Sequence, residues 1–417
     1  MGKDKIDIWT YAHWKGFAKS KLIGILSAHQ GKGRKAFSFE YDKEWLESYD
    51  FLLLDPDIQY FSGPQYPSDK LNFGVFMDSM PDTWGRTLMK RKAAQEANMR
   101  NEPSPKLYDI DFLLGVHDET RMGALRFKLD PKGPFLDDSE NYTVPPIASV
   151  RELQEASRNV ELGEANNMRE WLNILVTPGS SLGGARPKAN VKDDNGNLWI
   201  AKFPSKNDIT DQASWEYLVY LLAAQSGIEM AESKLMKVAG SFHTFFTKRF
   251  DRIGEERIHF SSAMTMTGNT ETGLRDHQAS YLEIAEFLQT YGVNIKNNLE
   301  QLWRRIVFNI AVSNTDDHLR NHGFILTEEG WTISPAFDIN ASIDKNILAL
   351  NIDMNDNSLD FELARSVGEY FQLDVKAMDT IINQTKEVVR KWDEIAEKIG
   401  VSRHERAMMA PAFAKVF

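Results

Sequence analysis

The chain has 417 residues, 42% of them hydrophobic and 11% aromatic, and its 60 acidic against 49 basic side chains give a formal net charge of −11. This is the composition of a folded globular protein long enough for two or three domains, and its negative balance argues against broad nucleic-acid binding by the chain alone. It contains no cysteine, which excludes disulfides, Cys-ligated zinc, Fe–S clusters and thiol catalysis, and no apolar run reaches the roughly eighteen residues a transmembrane helix needs.

Met1–Ile8 carries Lys3, Asp4, Lys5 and Asp7 with no apolar stretch behind it, so it does not read as a signal peptide, and cytoplasmic residence is the expectation. Residues 5 to 140 mix apolar alternations such as Ile6, Ile8 and Trp9 with helical stretches such as Trp84–Glu96, which predicts a small α+β unit. The basic run Lys90, Arg91, Lys92 reads as a solvated helix face. Pro103, Pro105, Pro131, Gly133 and Pro134 punctuate the chain, and Pro145–Pro146 marks an interdomain boundary. A helical pattern begins at Ser149.

Between residues 168 and 250 the pattern is helix, Gly-rich loop, strand, turn, strand, helix and two more strands. Asp194-Asn195-Gly196-Asn197 separates Lys188–Lys192 from Leu198–Phe203 as a hairpin turn would. Ala213–Gln225 has helical spacing, and Lys234–Arg249 reads as a second strand pair. Farther on, Ala279–Tyr291, Leu299–Val312, Leu359–Phe371 and Val375–Lys398 read as helices. One hairpin interrupts them, Phe324–Leu326 with Trp331–Ile333 around Glu328-Glu329-Gly330. Met264 and Met266 read as core residues.

Three constellations carry chemistry. The first is Asn314-Thr315-Asp316-Asp317-His318-Leu319-Arg320-Asn321, followed across the hairpin by Asp338 in Ala336-Phe337-Asp338-Ile339-Asn340. Phosphoryl transfer needs a carboxylate near the attacking hydroxyl, an oxygen ligand for Mg²⁺ and a second carboxylate bridging metal and phosphates. Asp316, Asn321 and Asp338 supply these in an order that parallels protein kinases. Asp316 is the candidate catalytic base, and Asn321 and Asp338 are the candidate metal ligands. Asp317 reads as an exposed or capping acid. His318 reads as a backbone brace, since no second His or acid stands at zinc-site spacing.

The second constellation is Thr177-Pro178-Gly179-Ser180-Ser181-Leu182-Gly183-Gly184-Ala185-Arg186-Pro187-Lys188. Its glycines permit close approach of backbone N–H groups to phosphate, and Lys188 adds positive charge. It is not a Walker A loop, and an ordinary Gly-rich turn has the same composition. The third is Leu198-Trp199-Ile200-Ala201-Lys202-Phe203-Pro204, where a lysine in a half-buried strand either pairs with an anion such as a nucleotide phosphate or snorkels at the strand edge. Glu216, on the following helix, either pairs with Lys202 or is a surface acid.

Taken in order with Lys248-Arg249-Phe250-Asp251-Arg252 and Gly74-Val75-Phe76-Met77-Asp78-Ser79-Met80-Pro81-Asp82, these segments resemble the HipA family of serine/threonine kinases, the toxins of type II toxin–antitoxin pairs. The resemblance implies an α+β, two-lobed fold related to protein and phosphatidylinositol kinases. An N-terminal subdomain would cover residues 1–147, a small sheet-rich nucleotide-binding lobe 148–252 and a helical catalytic lobe 253–417. It implies that Gly183, Gly184, Ala185, Arg186, Pro187 and Lys188 line the ATP phosphates and that Lys202 contacts them. Lys248, Arg249 and Phe250 would form the adenine hinge. His318, Leu319, Arg320, Asn321, Phe337 and Asp338 would complete the nucleotide and Mg²⁺ site.

Ser181 matches the family's autophosphorylated loop serine, with Ser180 as second candidate. Modification there would add about −2 charge beside the phosphates. Pro187 departs from the family pattern by lacking an N–H donor. The resemblance further implies a protein substrate of the translation machinery, such as an aminoacyl-tRNA synthetase. Restraint would come from a HipB-type helix-turn-helix antitoxin, with DNA met only through that complex and no membrane involved. Two other functions keep the same residues in view: a catalytically idle homologue acting as a co-repressor, and a lipid or small-molecule kinase.

Overall fold

A computed structural model of the chain describes residues 5–31, 34–49, 52–137, 144–163, 167–176, 184–275 and 277–417. They belong to two compact units: Met1–Ala201 with Asp251–Ser261, and Lys202–Phe250 with Ser262–Phe417.

The first unit holds an antiparallel sheet of Lys5–Ala12, Lys21–Gly31, Arg34–Tyr41 and Leu125–Lys128, with Lys5–Ala12 between the second and the last. Strand alternation explains its inner face: Ile8, Thr10 and Ala12 are buried at every second position. Phe39, Phe73, Phe76 and Phe127 form a ring cluster, with centroids 5.6 to 6.4 Å apart. This sheet confirms the small α+β unit but is larger than the alternation at Ile6, Ile8 and Trp9 suggested.

The helix expected at Trp84–Glu96 runs Thr83–Met99, capped by Asp82, whose Oδ1 accepts the Gly85 N–H at 2.8 Å. The Lys90–Lys92 run is not a uniformly solvated face. Lys90 is exposed, whereas Arg91 turns inward and donates to the Val160 carbonyl in the last turn of the Val150–Leu162 helix, where a cation is favoured. That helix stops at Gly163, whose φ of 74° is the left-handed C-terminal closure glycine permits. The predicted hairpin joins Lys188–Lys192 to Leu198–Lys202. Asp193 fixes its turn by accepting the N–H groups of Asn195 and Asn197, both at 2.9 Å.

In the second unit, Ser233–Met236 pairs antiparallel with Thr244–Lys248, and Gly323–Leu326 with Trp331–Ile333. The helix Gln212–Gln225 is followed by Tyr281–Tyr291 and Ile295–Val312, and the last is buried through Leu299, Leu302, Trp303, Ile306, Val307 and Ile310. Met264 and Met266 are core residues, as expected.

The helix expected at Val375–Lys398 is two, Val375–Val389 and Trp392–Lys398. The break turns Trp392 inward to stack on Phe413, centroids 4.5 Å apart. Leu359–Phe371 likewise divides into the helix Phe361–Ser366 and a 3-10 turn, Gly368–Phe371, at a glycine where a Cβ would collide with Met378. The remainder of the chain is helical, in keeping with a helical lobe, as the helix Arg403–Met409 and the 3-10 turn Ala410–Val416. Among the described residues no helix is long and apolar enough to cross a membrane.

Candidate active site

The Ile295–Val312 helix ends where Ser313 takes the left-handed conformation at φ 51°, and the Asn314 N–H returns to the Asn309 carbonyl at 2.9 Å. This closure reverses the chain and launches the segment Thr315–His322. A 3-10 turn, Leu319–Asn321, follows. The Asp316 carbonyl receives the His318 N–H at 3.0 Å and Asn321 Nδ2 at 3.1 Å. With its nitrogen engaged, Asn321 presents Oδ1 as its acceptor, an oxygen suited to a hard cation. The Asp316 side chain is exposed while its neighbour Asp317 is buried.

Asp317 is therefore neither an exposed nor a capping acid. Its Oδ2 accepts Tyr281 Oη at 2.6 Å and Asn309 Nδ2 at 2.7 Å and lies 2.8 Å from His322 Nε2. Burial alone pushes this carboxyl's pKa up, but the charge and hydrogen bond of His322 and the Tyr281 hydroxyl outweigh it and hold the group below the ordinary aspartate value. The buried Arg305 supplies a further positive charge and donates to the Ser334 carbonyl at 2.6 Å. Sequence reasoning missed this hub because Tyr281 stands far from Asp317 along the chain. Nothing in Asp316-Asp317-His318 distinguishes the outward acid from the inward one. His318 is half-buried, and its ring Nδ1 has no hydrogen-bond partner among the described residues.

Lys202 ends its strand between two carboxylates: Nζ lies 2.5 Å from Glu216 Oε1 and 2.6 Å from Asp338 Oδ1, with the lysine side chain 10% exposed. Burial pulls the ammonium pKa down, yet Asp338 and Glu216 overcome it and hold the group above the ordinary lysine value. Glu216 is thus the partner of Lys202 and not a surface acid. Asp338 has φ 58°, a strained region for a residue with a Cβ. It is held there by Ala336, whose N–H and carbonyl engage Glu229 O and Ala231 N at 2.7 and 3.0 Å. Its side chain remains 27% exposed. Phe337 packs on Phe250, centroids 5.6 Å apart. Arg249 is buried, and the Lys248 N–H donates to Glu232 O at 2.7 Å.

Asp338 and Asn321 offer one carboxylate and one amide oxygen, and no cluster of three His, Asp or Glu ligands exists among the described residues. That donor set fits Mg²⁺, which keeps several waters and binds through one or two carboxylates together with substrate phosphates.

In the first unit, Gly184 and Ala185 are exposed, Arg186 is half-buried, and Pro187 and Lys188 are buried. Gly183 and the candidate serines Ser180 and Ser181 lie outside the described residues. Asp251 and Arg252, which close the Lys248–Arg252 motif, also belong to this unit. Asp251 Oδ2 accepts the Gly123 N–H at 2.8 Å, and Arg252 donates to Gly123 O and Arg121 O at 2.9 and 2.6 Å.

This α+β architecture matches that of the HipA chain in a Shewanella oneidensis MR-1 complex of HipA, HipB and operator DNA. The TM-score is 0.63 over 98% of this chain and 95% of that one, at 17% identity. A model of the HipA-like C-terminal domain matches residues 180–392, and the chain belongs to the HipA family. A Haemophilus influenzae protein bearing a provisional kinase name is 28% identical over 189 residues, 40% of this chain and 54% of that protein, so the chain spans about half of that relative's length. The Helicobacter pylori proinflammatory kinase CtkA aligns at a TM-score of 0.34 with 15% identity, too low to bear on the fold.

Proposed function

We propose that this protein is a HipA-type kinase that transfers the γ-phosphate of ATP to a serine or threonine of a cellular protein. The observation that carries the reading is the bridging of one buried ammonium, Lys202, between Glu216 and Asp338. Burying such a group is costly unless its charge is used, and a lysine paired to a helix glutamate beside a metal-binding aspartate is the arrangement phosphoryl transfer employs. Lys202 would orient the phosphates. Asn321 and Asp338 would hold Mg²⁺, which would supply positive charge to offset that of the phosphates. Asp316 would accept the proton of the acceptor hydroxyl as its oxygen attacks the γ-phosphorus and the bond to the bridging oxygen breaks, releasing ADP.

Family membership brings the remaining assignments into the proposal. The backbone of Gly183–Lys188 would line the phosphates, Lys248–Phe250 would serve as hinge, and His318, Leu319, Arg320 and Phe337 would contact the nucleotide. Residues 1–147, 148–252 and 253–417 would act as N-terminal, nucleotide-binding and catalytic parts. The substrate would be a translation component in the cytoplasm, such as an aminoacyl-tRNA synthetase. Phosphorylation of Ser181, or of Ser180, would switch the enzyme off. A HipB-type antitoxin would restrain it and bring it to DNA, in keeping with the HipA, HipB and operator complex of the Shewanella protein.

The test is incubation with radiolabelled ATP, Mg²⁺ and cell lysate. Label in protein, lost in Asp316→Asn, is the expected outcome. Label in lipid extract would select a lipid kinase. Absence of ATP consumption by the wild type would leave the co-repressor function and end the kinase reading.

A further inference from the structure

Lys188 closes the Gly-rich loop, and its side chain is 1% exposed, with Nζ 2.7 Å from Asp82 Oδ2 and 3.4 Å from the Gly184 carbonyl. Its backbone is tied to the same place, since Trp84 Nε1 donates to the Lys188 carbonyl at 3.0 Å. Asp82 serves two partners at once: Oδ1 caps the Thr83–Met99 helix through the Gly85 N–H, and Oδ2 takes the lysine. The side chain of Asp82 is itself only 8% exposed.

We propose that Lys188 is a brace and not a phosphate ligand, and that Asp82 is a positioning residue that sets the geometry of the Gly184–Lys188 limb for nucleotide binding. The proposal rests on the kinase reading for its consequence but on geometry for its substance. Withdrawing the ammonium to meet an anion would strand the buried Asp82 carboxylate without its counter-ion. The ammonium also donates to the Gly184 carbonyl, which closes a five-residue arch. Pro187, which is buried, fixes its own φ and restricts Arg186 before it. Backbone N–H groups of this arch are then the loop's contribution to phosphate binding, held in place by the residues Asp82 and Trp84, far upstream in the chain.

A double-mutant cycle separates brace from ligand. Asp82→Asn keeps a good helix cap, because Asn caps as well as Asp, and removes only the ion pair. Lys188→Met keeps the buried stem and removes the charge. For a brace, each single variant raises the KM for ATP by roughly tenfold with a smaller change in kcat, and the double variant is no worse than either. In the absence of nucleotide the melting temperatures follow the same non-additive pattern, each falling by about 5–10 °C. For a phosphate ligand, Lys188→Met raises the KM, whereas Asp82→Asn leaves it at or below the wild-type value. That outcome, or additive melting shifts, overturns the proposal. Should Lys188→Met not fold, Asp82→Asn alone decides, since the two readings give it opposite KM values. If calorimetry shows that the wild type binds no ATP, the kinase reading fails, while the melting cycle still tests the brace.

Discussion

The Asp317 carboxylate and the His322 imidazole lie 2.8 Å apart at the two ends of the loop that carries Asp316 and Asn321, with both side chains buried. Through Tyr281 and Asn309 the same carboxylate reaches the start of one helix and the last turn of another. The loop is thus fixed from beneath while Asp316 stays at the surface.

Asp317→Ala should therefore be strongly destabilising, by about 3–5 kcal/mol, because three donors lose their acceptor together and the buried Arg305 loses a nearby negative charge. Asp317→Asn should cost less, since an amide oxygen still accepts. Chemical denaturation with two-state analysis checks both. Because the folded pKa of Asp317 lies below its unfolded value, its contribution is complete above the unfolded aspartate pKa of about 4. It is lost only as pH falls below that value toward the folded pKa.

Two buried groups of the first unit give opposite pH slopes. Burial holds His259, stacked on Trp14 with ring centroids 5.1 Å apart, down to a pKa of about 3. Its native form stays neutral while the unfolded imidazole protonates below about 6.5, so stability drops as pH falls through that window, by up to about 1.4 kcal/mol per unit. Burial raises Asp55 to about 6, against hydrogen bonds from Val75 and Asp57. Protonated when folded but ionised when unfolded, it makes stability fall as pH rises from about 4 to 6. Between pH 4 and 6 the two effects oppose. Asp55→Asn should expose the histidine slope, and His259→Asn should remove it, as read by melting temperature against pH.

Asp338→Asn should fold normally, because Asn tolerates the left-handed backbone that φ 58° imposes. It should nevertheless lose phosphoryl transfer by at least about 10²-fold, as both the Lys202 pairing and the metal carboxylate disappear. Asp338→Ala should carry an additional backbone cost of about 1–2 kcal/mol. Circular dichroism and a kinase assay, run on both variants, separate the two effects.

Chelation of Mg²⁺ should abolish phosphoryl transfer without moving the melting temperature of the nucleotide-free protein, since the two candidate ligands have protein partners of their own, Asn321 on Asp316 and Asp338 on Lys202. A melting temperature that falls with EDTA alone would indicate a structural metal instead.

What the sequence made legible was local. Lys202 and Glu216 are a strand end and the next helix, so their pairing stood among the two readings the sequence offered, and the structure selects it. The hairpin Gly323–Ile333 was visible for the same reason. The strand pairing of Lys5–Ala12 with Leu125–Lys128 was not, because no periodicity links segments so distant. Lys188 illustrates the limit most sharply: a lysine after glycines looks the same whether its ammonium meets a phosphate or a carboxylate supplied a hundred residues earlier. The helix break before Trp392 was hidden because the apolar spacing continues across it, and only the stacking partner Phe413 dictates the change of direction.

The chain leaves the first compact unit after Ala201, re-enters it at Asp251 and leaves again after Ser261. Neither unit can consequently be excised as one uninterrupted stretch of gene. A fragment ending at residue 201 would forfeit Asp251 and Arg252, and with them the anchors for Arg121 and Gly123. Dissection by truncation is therefore expected to yield insoluble pieces, and a split protein would regain function only when both fragments are co-expressed.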